Sequence, residues 1–124
     1  MLEITINGKV YQFNFGMGFL REVNKLVSVP VDGLPEVKRN IGLRYLVLCM
    51  MDGDPEALVD ILDAANKGQN PRITRNALDT HLDNPETDVD ALSAEVLDFL
   101  KSANVTKKTV NTLLEEIEKR KAEI

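Results

Sequence analysis

The side chains able to do chemistry are few, and their spacing argues against a reaction. Cys49, the one cysteine, stands among Leu48, Met50 and Met51, so it reads as a buried thiol of a reducing compartment rather than a nucleophile. The one histidine, His81, lies in a separate acidic segment and offers Cys49 no evident base. It also lacks a Cys or second His at ligand spacing, which disfavours zinc and leaves an ordinary surface histidine. Asp52, Asp54 and Glu56 alternate like the first ligands of a calcium loop. However, the sixth position of that loop is Ala57 where the turn needs Gly, and the twelfth is Asp63 where a bidentate Glu belongs. Gly16-Met17-Gly18 is followed by Arg21 in place of the third glycine of a dinucleotide fingerprint. Asn104-Val105-Thr106 has the form of a glycosylation acceptor, but the modification needs a secretory route. Carboxylates abound, yet with no Trp and two Tyr nothing brings acids and aromatics together as a glycosidase cleft would. The expectation is a non-enzyme: no catalytic residue, no metal, no cofactor.

The elements account for the same residues more simply. LEITI-NG-KVYQF alternates with period two around Asn7-Gly8, the strongest short-range signal for a type I′ hairpin. A two-residue turn sets Leu2 across from Phe13, Ile4 from Tyr11 and Ile6 from Lys9, with Phe15 extending the apolar face. A lone hairpin is marginal in water, so helices or another molecule must cover that face. Helical spacing then begins after Gly16 with Phe19, Val23 and Leu26, and SVPVDGLP breaks it. A second helix, central by its apolarity, is predicted from Glu36 to Met51 and ends at Asp52-Gly53. Asp54 and Pro55 open a third that Gly68 stops. Thr74 caps a short fourth, with Ile73 stapled onto Leu78. Asp88 caps a fifth through Leu92, Val96 and Leu100, and Thr106 caps a sixth through Val110, Leu113 and Ile117. The predicted fold is α+β, mainly α: an N-terminal β-hairpin (1–15), then about six helices (16–124), in a single domain of 124 residues.

Composition narrows the function classes. The longest apolar run, Tyr45 to Met51, is far short of the roughly 20 residues that cross a bilayer. MLEITINGKV has neither the basic start nor the apolar stretch of a secretion signal, so export is not expected. The net charge is −5, and it is uneven: residues 1–53 hold six Lys or Arg against five acids, residues 54–124 nine against fifteen. From Asn76 to Leu100 every charged side chain is acidic, a surface that repels phosphate and disfavours nucleic acid as a partner. Apolar surface therefore remains as the working part. The hairpin face of Leu2, Ile4, Tyr11 and Phe13 is the candidate for self-association. The methionines Met17, Met50 and Met51 near helix ends are candidates for adaptable contacts with a partner.

The ordered segments ITINGKVYQFNFGMGFLREVNK, LRYLVLCMMDGDPEALVDILDAA, PRITRNALDTHLD and DVDALSAEVLDFLKSANVTKK resemble the tail assembly chaperones of long-tailed bacteriophages and prophages of Gram-positive hosts. The similarity spans nearly the whole chain. Its distinctive parts are the NG hairpin running through FNFG into FLRE and the DGDPEAL boundary, neither of which carries chemistry. One departure is Gly18, a poor helix former at the expected start of the first helix. The resemblance implies a host-cytoplasmic factor that binds the tape measure protein, keeps it soluble and supports assembly of the tail tube protein around it. It also implies absence from the mature virion, self-association into a homo-oligomer, and in many members a longer frameshifted form. Phe19, Met50 and Met51 are the candidates for client contact. The alternative is a small structural phage protein such as a head–tail joining component.

Overall fold

The computed structural model describes residues 1–122. Among them, β1 (Leu2–Ile6) and β2 (Lys9–Phe13) form an antiparallel hairpin, followed by α1 (Met17–Asn24). A second hairpin, β3 (Ser28–Val31) and β4 (Leu34–Asn40), precedes α2 (Gly42–Met51), α3 (Pro55–Asn66), α4 (Arg75–Asp83), α5 (Val89–Ser102) and α6 (Lys107–Ala122). The fold is α+β and mainly α, as expected.

The first hairpin has the register set by its turn: Leu2 faces Phe13, Ile4 faces Tyr11 and Ile6 faces Lys9. Asn7 and Gly8 take φ values of 52° and 77°, the paired left-handed conformation that a type I′ turn requires. Of the two ways to cover its apolar face, the chain uses its own helices. Leu2, Ile6, Phe13 and Phe15 are buried in one apolar cluster with side chains of α1, α2, α3, α5 and α6. Phe15 meets Phe19 of α1 edge to face, with ring centroids 5.1 Å apart.

The fixing is polar as well. The Asn14 N–H donates to the Ala65 carbonyl at 2.9 Å. Asn66, fully buried, donates from Nδ2 to the Gln12 carbonyl at 2.9 Å, while its Oδ1 accepts from the Ile73 N–H at 2.7 Å and from Arg72 Nη1 at 2.9 Å. One amide thus ties β2, the end of α3 and the following loop together, with both its polar atoms partnered.

Helix boundaries follow the caps. Asp54, Thr74 and Asp88 accept from the backbone N–H groups of Glu56, Ala77 and Ala91. Gly53 and Gly68 adopt φ 91° and 82° just past the ends of α2 and α3. Eight of the twelve residues of α3 are buried, against five of the ten of α2, so α3 lies deeper than the helix expected to be central.

Two expectations are corrected. Residues 36–40 are not the first turns of α2 but the second half of β4, because the chain between Val27 and Ile41 turns back on itself at Asp32-Gly33. Leu26 does not continue the apolar face of α1. That helix stops at Asn24, whose Oδ1 accepts instead from the Leu43 N–H of α2 at 3.0 Å.

Candidate functional site

The second hairpin leaves the body and returns to it at one point. A Cβ placed on Gly42 would lie 1.8 Å from the Val23 carbonyl oxygen, so only glycine allows α2 to start against the end of α1. The Ile41 N–H donates to the Val27 carbonyl at 2.9 Å and closes the base of the hairpin. Beyond that base no residue of β3 or β4 is buried: Leu34 is 58% exposed and Val37 50%. Residues 28–40 form an arm standing out from the helical body.

From the foot of this arm, α2 carries an apolar stripe. Its inner face, Leu43, Leu46, Val47 and Met50, is core. A helix turns about 100° per residue, which brings Ile41, Tyr45, Leu48 and Met51 to the opposite side. There Tyr45 is 48% exposed, Leu48 39% and Met51 38%. A helix apolar all round is normally one that is covered all round.

A groove flanks the stripe on each side. One, of about 220 Å³, lies between α2 and α6 over Leu113 and Ile117, with the Arg44–Glu116 ion pair at its rim. The other, also about 220 Å³, lies between α2 and α5 around Met51 and Leu97, with Asp90 at its edge. A third concavity, between α3 and α4, has Val59 and Leu82 in its lining and Glu56, Asp79 and Asp83 around them. Arg75 there is held by Asp60 at 2.7 Å, a hydrogen bond that pushes the guanidinium above even its usual range and keeps it charged.

The residues singled out from sequence fall in different places. Leu2 and Phe13 are core, and Ile4 and Tyr11 are half-buried, so the first hairpin keeps little apolar face for another molecule. Phe19 and Met50 are also buried, each about 3% exposed. Met51 alone of the client candidates reaches solvent, and it lies on the stripe. Tyr45 and Leu48 went unnoticed because an unbroken apolar run does not tell its wet face from its dry one. Cys49 is half-buried beside the stripe. His81 lines a polar recess with Thr80, Asn84 and Glu86. Among the described residues no group of acidic, Cys or His side chains is arranged to hold a metal, and no helix is long and apolar enough to cross a membrane.

A helical body bearing an uncovered apolar stripe and a projecting arm belongs to the class of proteins built around interaction surfaces. The particular family is shown by sequence: residues 3–115 match the model described as "Phage tail assembly chaperone protein, TAC", and the chain belongs to that family. No curated protein and no solved structure matches it.

Proposed function

We propose that this tail assembly chaperone binds the tape measure protein in the host cytoplasm, keeps it soluble while the tail tube protein assembles around it, and is absent from the finished particle. It acts by binding alone, with no catalytic step and no cofactor, and as a homo-oligomer. The observation that carries the reading is the outer face of α2. Tyr45, Leu48 and Met51 lie in water on a helix whose other face is core, with an apolar groove on either side.

A long helical client exposes apolar stripes until its tube forms, and such stripes aggregate at ordinary cellular concentrations. A helix laid along α2 would bury its apolar face against Leu48 and between the flanking side chains of α5 and α6, the helix-in-groove mode of recognition. Methionine at position 51 suits a surface that must accept many turns of one client rather than a single motif. The acidic segment from Asn76 to Leu100 keeps the complex soluble by repulsion between complexes. Release to the tube requires modest affinity, which a stripe of a few exposed side chains supplies.

The test is co-expression of the tape measure protein with and without this chain. Soluble client is expected only with it, and Tyr45→Asp or Leu48→Asp should return the client to the pellet while leaving the chaperone folded. Client that is equally soluble alone, or with those variants, contradicts the proposal. Detection of this chain at fixed copy number in purified virions would favour the structural role instead.

A further inference from the structure

We infer that the groove between α2 and α6, with one face of the β3–β4 arm above its end, takes a client helix whose apolar stripe is flanked by carboxylates. The inference deepens the proposed function and rests on its reading of the outer face of α2 as the client surface.

The shape suits a helix. Tyr45 and Leu48 of α2 and Leu113 and Ile117 of α6 give the groove an apolar lining, and Ile41 joins them at the foot of the arm. With ten residues α2 is about 15 Å long, enough to lie beside about three turns of a second helix. The bond from the Ile41 N–H to the Val27 carbonyl continues the register in which Val29 faces Arg39. Successive side chains of a strand point to opposite faces, so Arg39 and Val29 share the Ile41 face of the arm, while Lys38 and Pro30 point the other way. Val29 and Arg39 are both exposed and form the rung next above the end of the groove.

Charge selects the occupant. The charged residues lining the groove are Arg44, Glu116 and Arg120. Glu116 is already paired with Arg44, so Arg120 leaves the lining with an excess of positive charge, and Arg39 adds to it from above. Neither Arg39 nor Arg120 enters an ion pair among the described residues. The two acids of the arm, Asp32 and Glu36, lie beyond Arg39 toward the turn. Guanidinium groups at the rim of an apolar groove match carboxylates beside an apolar stripe, in paired hydrogen bonds that a lysine-flanked helix cannot make.

The other two grooves have the opposite sign. The one beside α5 has Asp90 as the charged residue of its lining. The one between α3 and α4 sets Glu56, Asp79 and Asp83 against Arg75, which Asp60 and Asp63 already engage. On a chain of net charge −5, with acids alone among the charged residues from Asn76 to Leu100, a carboxylate-flanked helix is repelled elsewhere and attracted here. Complementarity of this kind fixes which segment is seated, and where.

Fluorescence polarisation with the full-length protein and two labelled synthetic helices tests this. Both helices carry the same leucine stripe, one flanked by Glu and the other by Lys. The Glu helix should bind roughly tenfold tighter at low ionic strength, and added salt should shrink the difference. Arg39→Glu with Arg120→Glu, both at exposed positions, should reverse the preference and leave the thermal melt unchanged. Lys38→Glu makes the same change of charge on the opposite face of the arm and should act less than Arg39→Glu alone. Wild type that binds neither helix, or binds the Lys helix as tightly as the Glu helix, would overturn the inference. A preference that survives in the doubly substituted protein would do the same, as would a Lys38→Glu effect equal to that of Arg39→Glu. Wild type that solubilises the tape measure protein without telling the helices apart would overturn this inference and leave the proposed function standing. Discrimination between the helices without solubilisation of that client would uphold the preference of the groove and contradict the proposed function.

Discussion

The two hairpins of this protein are built from similar material and have opposite fates. Each is a pair of short strands joined by a two-residue turn ending in glycine, Asn7-Gly8 in one and Asp32-Gly33 in the other. The first has left-handed backbone at both turn residues and an unbroken register, and it faces the core with Leu2, Ile6 and Phe13. The second has it at Gly33 alone, its register shifts between Pro30 and Val31, and its strands hold valines, prolines and charges with no helix above them. Turn chemistry makes a hairpin possible, and burial decides whether the chain itself stabilises it. A hairpin that its own chain leaves uncovered gains no such stabilisation.

The contrast can be broken most forcefully at Phe13. Truncating this fully buried ring to Ala should cost about 3–5 kcal/mol of unfolding free energy, measured by urea denaturation. A loss below 1 kcal/mol would mean that the first hairpin is not part of the core. Next comes the clamp: Asn66→Ala leaves the buried Ile73 N–H without its acceptor and should cost about 1–3 kcal/mol in the same assay.

Excising the arm should do far less to the body. Val27 and Ile41 are already bonded across its base, so replacing residues 28–40 with Asn-Gly closes a short turn there. The thermal midpoint should stay within a few degrees, and loss of the cooperative melt would place the arm in the core. Smallest is the exposed Glu22–Lys67 pair. The hydrogen bond from Lys67 and then its charge lower the Glu22 pKa, so the pair's contribution is present above the ordinary carboxylate range and fades as pH falls through the lowered value. Glu22→Gln should flatten that part of the stability profile and change little at neutral pH. A large loss at neutral pH would show the pair to be more than a screened surface contact.

How much of this could be read in the sequence follows the same divide. The first hairpin, its register and the caps Asp54, Thr74 and Asp88 were legible because each depends on a local pattern that burial then reinforces. The arm was missed because period-two alternation marks a strand only when one of its faces is covered. Glu36-Val37-Lys38-Arg39 has no covered face and passes for the first turn of a helix. Asn66 gave no signal, since its partners Gln12, Arg72 and Ile73 meet it only through tertiary folding. Thr106 was read as a helix cap, but its hydroxyl donates to the Leu100 carbonyl at 2.7 Å and seals the end of α5 instead. Of the client candidates, only Met51 was placed on a surface. Phe19 and Met50 follow the helical spacing of core positions, and the fold uses them there.

Hydrogen exchange at two protein concentrations measures the divide most directly, because amide protection reports how firmly each segment is held. Amides in residues 2–13 should be slow to exchange at both concentrations, held by the chain's own core. Amides in residues 28–40 should exchange rapidly in the dilute protein, since no element of the body buries them. Residues 28–40 as well protected as residues 2–13 in the dilute protein would contradict the account, as would a first hairpin that exchanges rapidly.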